Sequence, residues 1–212
     1  MGEVLKMVKM ILKRAFDVIV STFALIVLLP LLVAIALAVK LTSEGPIFYV
    51  APRVGMHGKA IKVYKFRTMV MNADKIGGII TSKNDPRVTP IGRLLRKYKL
   101  DELAQLFNVW NGTMSFVGPR PEHPYYVGMY TEEQRKILTV RPGITSPASL
   151  KYRNQDEIIE FLQLLNQDEI DRYYITTIKP AKLDMDIEYI QTSNLYTDLM
   201  VILKTLWVVV SK

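Results

Sequence analysis

Cysteine is absent from this 212-residue chain, and histidine occurs only at His57 and His123. The first absence excludes disulfides and thiolate-bound metal. The second leaves too few ligands for a zinc site. Acid is scarce in the first half. Residues 1–100 hold 17 Lys and Arg against 5 Asp and Glu, a balance of +12, whereas residues 101–212 stand at −4. So basic a half suits anionic lipid head groups, phosphorylated substrates or nucleic acid. Nucleic acid is the weakest of these, because no helix-turn-helix, zinc or aromatic-platform signature is present. Internal repeats, heptad arrays and low-complexity tracts are missing too.

Apolar residues are abundant. Half the chain is hydrophobic and the mean hydropathy is +0.15, high for a fully soluble domain. Met1 to Arg14 reads as an amphipathic lead-in with Lys6, Lys9 and Lys13 opposite an apolar face. Val18 to Val39 then runs 22 residues without a charge, long enough as a helix to span a bilayer. It does not fit a signal peptide, whose apolar region is shorter and followed by a small-residue cleavage site. Pro30 near its middle removes one helix hydrogen bond and crowds the Ile26 carbonyl. Basic residues flank both ends, and the positive-inside rule draws both ends to the cytoplasm. We therefore expect a re-entrant helix–break–helix hairpin at Pro30 rather than a full crossing, with Ser21 and Thr22 as partners for freed backbone groups. One kinked transmembrane helix and a buried soluble helix are the alternatives.

From Gly45-Pro46 onward the pattern changes. Residues 47–50 and 60–66 alternate as two short strands around a glycine-bearing turn. Lys65 and Arg67 flank Phe66 and are expected on one face, for phosphate or for solvent. Residues 72–84 read as a polar, glycine-rich loop. Asp85-Pro86-Arg87 makes a turn before a helix that starts near Thr89-Pro90.

The stretch from Arg93 to Glu122 carries the chemistry. Apolar residues at Ile91, Leu94, Leu95 and Tyr98, then at Leu103, Leu106, Phe107 and Trp110, each have helical spacing. The phase breaks between them, which predicts two short helices jointed near Lys99-Leu100, with Asp101 at the cap or first turn of the second. Asn111-Gly112 ends that helix. The adjacent acids Asp101 and Glu102 lie in a basic surround and could hold Mg²⁺ together with substrate phosphates, or they could simply cap a helix. A helix start with its free N–H groups suits phosphate. Two prolines stiffen the loop Gly118-Pro119-Arg120-Pro121-Glu122 and present the Arg120 fork. Further on, 134–138 reads as helical, Arg141-Pro142-Gly143 as a second stiff loop, 156–165 as an acidic amphipathic helix, and 194–210 as a final helix. Leu195, Leu199, Ile202, Leu203, Leu206 and Trp207 lie on one side of that last helix, to face either the core or a membrane interface.

Taken in order, these pieces resemble the bacterial sugar transferase family, the small monotopic polyprenol-phosphate phosphoglycosyl transferases. The resemblance rests on Lys13-Arg14 with Asp17, the apolar stretch with Pro30, Gly45-Pro46, Arg53-Val54-Gly55, Tyr64 to Met69, Asp85-Pro86-Arg87, Gly92, Arg96, Asp101-Glu102-Leu103, Gln105 to Asn108, Ser115 to Glu122 and Arg141 to Thr145. With a weaker match over Tyr189 to Thr205, it covers nearly the whole chain. Ala104, where proline is common, and Ser146-Pro147, where glycine is common, depart from the pattern.

The resemblance implies transfer of a phospho-sugar from a UDP-sugar to polyprenol phosphate, giving polyprenol-diphosphate-sugar and UMP. Asp101 would be the nucleophile of a covalent aspartyl intermediate, Glu102 would help place Mg²⁺, and Arg120 and Glu122 would complete the site. Lys65, Arg67, Arg87 and Arg96 would be phosphate or head-group contacts, and Arg141 a nucleotide contact. The reaction would begin glycan assembly on the cytoplasmic face of the inner membrane. The expected fold is α+β and mostly helical, with a membrane hairpin over 1–44 and a catalytic domain with a small β element over 45–212. Membrane lipid is an expected partner and a homodimer is permitted. A membrane-tethered scaffold, with the acid pair only a cap, is the competing reading.

Overall fold

The computed structural model describes residues 2–76, 85–153, 169 and 172–211. The expected acidic helix at 156–165 and most of the glycine-rich loop lie outside the described residues. Helix α1 runs from Gly2 to Thr42 without interruption, with Pro30 inside it. This differs from the expected break into two helices. Asp17, Ser21, Leu32, Ile35 and Val39 are buried and Leu25 and Leu28 partly so. Together they form one stripe, stepping by three and four, that packs on the body on both sides of Pro30. Pro30 itself is exposed. A continuous packed face offsets the loss of one backbone bond, about 3 kcal/mol in an isolated helix interior. Ser21 and Thr22 both donate to the Val18 carbonyl rather than to groups near Pro30.

Both ends of the apolar segment touch the same globular body. Arg14 donates to the Val109 and Trp110 carbonyls at 2.7 and 2.9 Å, and Asp17 accepts from the Phe116 N–H. At the other end Val39 joins the cluster with Phe66, Leu95 and Ala104. The outer face of α1 is apolar and open, with Ile19, Phe23, Ile26, Leu29 and Leu37 all exposed.

Strands β1 (Phe48–Val54) and β2 (Ala60–Phe66) pair antiparallel, with Ala51 opposite Val63 over Val109 and Met114. Helix α2 is a single turn, Ala73–Ile76. Helix α3 (Pro90–Lys97) starts where expected: the Thr89 hydroxyl accepts from the Gly92 N–H and Pro90 occupies the first turn. A Cβ on Gly92 would meet the Thr68 carbonyl oxygen at 2.1 Å, so only glycine lets α3 press this close. Lys99 is left-handed at φ 55° and makes the expected joint. Beyond it Leu100–Gln105 winds as a 3₁₀ segment and continues into α4 (Leu106–Trp110).

Strands β3 (Ser115–Val117) and β4 (Gly143–Thr145) pair parallel and set the two proline loops side by side. Short helices α5 (Pro124–Val127) and α6 (Pro147–Lys151) and a 3₁₀ segment over Gln134–Thr139 fill the intervening chain. A π-turn at Tyr174–Ile178 leads into α7 (Lys179–Thr192). Helix α8 (Leu195–Val210) starts with a full capping box between Asn194 and Thr197. Its Asp198 is buried, pairs with Lys13 of α1 and accepts from the Tyr189 hydroxyl of α7 at 2.5 Å. The chain's two ends are thereby tied together. The apolar stripe of α8 faces outward, with Trp207 73% exposed.

Candidate active site

Asp101 lies in the first turn of the 3₁₀ segment after the left-handed Lys99. It is 6% exposed, and its Oδ1 has no hydrogen-bond partner. Burial pushes its pKa up; Lys65 pulls it down, Glu102 adds to the rise, and Lys99 and Arg96 ease it. The helix start expected here, with free N–H groups for phosphate, is a 3₁₀ turn in which one of those groups is engaged. The segment spans six residues, and the Glu102 N–H turns back to the Lys99 carbonyl at 3.2 Å.

Glu102 meets a different environment. Lys65 of β2 donates to its Oε1 at 2.9 Å. Arg120 grips it as a fork, Nη2 to Oε1 at 2.6 Å and Nη1 to Oε2 at 3.3 Å. Burial alone would raise its pKa, but Arg120 and Lys65 outweigh that and hold it well below the usual carboxylate range. Arg120 remains 39% exposed on its side chain, so the triad stands at the mouth of the site.

The Arg120 loop is fixed by backbone. The Gly143 N–H donates to the Pro119 carbonyl, the Gly118 N–H to Thr145 and the Val54 N–H to Glu122, all within 3.0 Å. A Cβ on Gly143 would meet Gly118 N at 2.1 Å, so the close approach of the loops requires glycine there. Glu122 accepts from the His123 N–H at 2.9 Å and from the Tyr174 hydroxyl at 3.2 Å.

A cavity of about 150 Å³ opens beside this triad. Among the described residues, Lys65, Gln105, Arg120 and Glu122 line its near side. Arg53, Tyr130, Tyr174, Lys179, Lys182 and Asp186 are also in its wall. Burial lowers Arg53 and Lys179 and raises both tyrosines, and it pushes Asp186 up to about 6. Cations outnumber acids, so the cavity favours an anionic ligand.

The structure therefore brings Lys65 and Arg120 to the acid pair, with Glu122 in the cavity wall beside Arg120. Arg96 bonds the Thr68 hydroxyl at 2.8 Å, and its charge reaches Asp101. Three other expected contacts are engaged by protein groups. Arg67 donates to the Ser43 carbonyl and hydroxyl, Arg87 forks onto Asp85 and the Ala73 carbonyl, and Arg141 bonds the Gly112 carbonyl. Lys65 and Arg67 thus do not share a ligand face. Arg53, Gln105, Tyr174, Lys179, Lys182 and Asp186 are not among the site residues expected from sequence. The one available signal was the spacing of 179, 182 and 186, which sets those three on one face of a helix.

Residues 8–212 match the family described as bacterial sugar transferase. The chain is 37% identical over 209 residues to the UDP-glucose:undecaprenyl-phosphate glucose-1-phosphate transferase of Escherichia coli, which covers 94% of this chain and 40% of that protein. It is 32% identical over 198 residues to the UDP-N-acetylgalactosamine-undecaprenyl-phosphate N-acetylgalactosaminephosphotransferase of Aeromonas hydrophila, covering 92% and 43%. It is 35% identical over 209 residues to an exopolysaccharide production protein of Sinorhizobium fredii, covering 92% and 83%. The chain spans about two fifths of the length of the first two relatives.

Proposed function

Because this chain belongs to the bacterial sugar transferase family, we propose that it moves a phospho-sugar from a UDP-sugar to polyprenol phosphate. The observation that carries the reading is the contrast within the acid pair: Asp101 is buried with an unpartnered oxygen, while Glu102 is neutralised by Lys65 and Arg120. A desolvated carboxylate with a raised pKa is the better nucleophile. Its Oδ1 attacks the phosphorus that bears the sugar, and the bond from that phosphorus to the bridging oxygen breaks. UMP leaves with that electron pair, and Asp101 holds the phospho-sugar as an acyl phosphate. An oxygen of polyprenol phosphate then attacks the same phosphorus, and the bond to Asp101 breaks to restore the carboxylate. Polyprenol-diphosphate-sugar is released. Lys65 and Arg120, already at the pair, turn from Glu102 toward donor phosphates as these arrive. Glu122, anchored by Tyr174, holds the Arg120 loop.

Mg²⁺ fits this arrangement in one form. Among the described residues no cluster of three acidic or histidine ligands exists. Mg²⁺ commonly takes one or two carboxylates, substrate phosphates and water, and Asp101 and Glu102 would be those carboxylates once Lys65 and Arg120 move to the phosphates. The ion would neutralise the diphosphate and the departing UMP.

The acceptor is a lipid, so the site belongs at a membrane. The exposed apolar face of α1 and the outward stripe of α8 are the surfaces we assign to membrane lipid, with both ends of α1 kept on the cytoplasmic side of the inner membrane. A homodimer through α8 is the competing use of that stripe, and light scattering in nanodiscs separates the two. The reaction itself is tested by UMP release from protein in nanodiscs supplied with Mg²⁺, polyprenol phosphate and a panel of UDP-sugars. Release with at least one sugar, lost in Asp101→Asn, is expected. Substantial activity in that variant would remove Asp101 as the nucleophile.

A further inference from the structure

The Asp186 part of the cavity has no task in the chemistry above, yet it is built. Asp186 on α7 is 5% exposed, and its Oδ1 has no hydrogen-bond partner. Burying an unpaired carboxylate oxygen is costly, and such a group calls for an explanation. Its neighbours do not supply a donor to that atom. Ser146 and Lys182 ease its charge. The Lys179 ammonium is taken by the Tyr126 carbonyl at 2.8 Å and by the Tyr126 and Tyr130 rings.

We propose that this part of the cavity receives the sugar ring of the donor, and that Asp186 determines sugar preference by accepting a hydrogen bond from a ring hydroxyl. The inference rests on the transferase reading and extends it. Size fits part of the donor: the cavity of about 150 Å³ is well below the roughly 300–1,000 Å³ of a pocket that takes a whole ligand. Chemistry fits a hydroxyl, because a carboxylate makes short, strong bonds to O–H donors and the pocket offers one with an empty acceptor. Order along the donor fits the sugar rather than the nucleoside. The sugar is joined through a single oxygen to the phosphorus that Asp101 attacks, whereas ribose lies beyond the second phosphate. Lys65 and Arg120 line the cavity and also hold Glu102, beside Asp101. Through these two shared residues the cavity adjoins the acid pair, and the sugar is the group next to the phosphorus that reacts there.

The test uses the full chain in nanodiscs with polyprenol phosphate and Mg²⁺. UMP release is measured for a panel of UDP-sugars, then for single-deoxy analogues of the best one. Asp186→Ala is expected to lower kcat/KM for the best donor about ten- to hundredfold. One deoxy position that penalises the wild type is expected to cost the variant nothing further, the mark of a direct pair. Inhibition by UMP is expected to stay within about twofold. Asp186→Asn serves as the folding control and is expected to melt no lower than wild type. Unchanged discrimination with every deoxy penalty intact would overturn the proposal. So would UMP inhibition weakened in step with kcat/KM, which assigns the residue to the nucleoside, or equal losses on all donors with a lowered melting temperature, which makes it structural. These results leave the transferase reading standing; a wild type that releases UMP from no donor removes that reading and the proposal with it.

Discussion

Two carboxylates of this site, Glu102 half-buried and Asp186 buried, are treated oppositely. Glu102 is met by Lys65 and by the Arg120 fork and stays ionised well below the usual range. Asp186 is met by Ser146 and, at longer range, Lys182, and burial carries it up to about 6. Burial is common to both; the supply of donors separates them. Asp101 lies between these cases, unpartnered like Asp186 yet within reach of Lys65, Lys99 and Arg96. A group left short of partners in the resting protein is a group with bonding capacity for a ligand.

Removing the reactive member should break the site most completely. Asp101→Asn is expected to lower UMP release by at least about a thousandfold, because a weakly nucleophilic amide replaces the carboxylate. Trapping with a donor labelled in its sugar should leave label on the wild-type protein after acid quench and none on the variant. Labelled Asp101→Asn protein would show that another residue takes the phospho-sugar.

Arg120→Ala attacks the donor supply at the Glu102 end. Losing one charged contact to the developing phosphate charge should cost about a hundredfold in kcat/KM. Stability should fall less, by about 1 kcal/mol, since Arg120 is partly open to solvent and Lys65 still offsets Glu102. Arg87→Ala sharpens the contrast. It strips the buried Asp85 of its fork and should cost stability far more than turnover per folded molecule.

These differences mark what was legible from residues alone. The phase break before Leu103, the Thr89-Pro90 start and the final helix from about Asn194 are local patterns, and the structure follows each of them. The fates of the arginines are not local. Arg67, Arg87, Arg120 and Arg141 all sit beside turns in the sequence, but only packing decides which meets a carbonyl, a carboxylate or a ligand. The helix break expected at Pro30 is absent for the same reason: a local helix breaker is overridden by the packed stripe from Asp17 to Val39 that spans it. The cavity wall from Tyr174 to Asp186 shows in sequence only as helical spacing, because the groups it faces come from across the chain. Its link to the proline loop, Tyr174 to Glu122, joins residues 52 positions apart.

Gly143→Ala tests whether the second proline loop acts through the first. Its Cβ would press on Gly118 N and O at 2.1 and 2.6 Å, backbone atoms with little room to yield. Overpacking of this kind costs about 1–3 kcal/mol. Displacing the Arg120 loop should lower kcat about tenfold. Arg141→Lys keeps the charge and leaves both glycines in place, so it should retain most activity. A large loss there with a raised KM for the donor would instead give Arg141 a direct contact.

The last effect should have the opposite sign. Asp186 has a folded pKa of about 6 against about 3.9 in an unfolded chain, so the native state binds the extra proton between those values. Ionising it is a penalty that grows as pH rises from about 4 and is complete above about 7. Asp186→Asn removes the penalty. Its stability should match the wild type near pH 4 and exceed it by up to about 3 kcal/mol near pH 8, a gain of several degrees in Tm. Glu102→Gln should behave in reverse, because its ionised form is the stabilised one. It should be less stable than wild type at pH 8, with the gap closing as pH falls and Glu102 takes up its proton. If both variants shift Tm in the same direction at pH 8, the contrast between the two carboxylates is not set by their donors, and burial alone governs both.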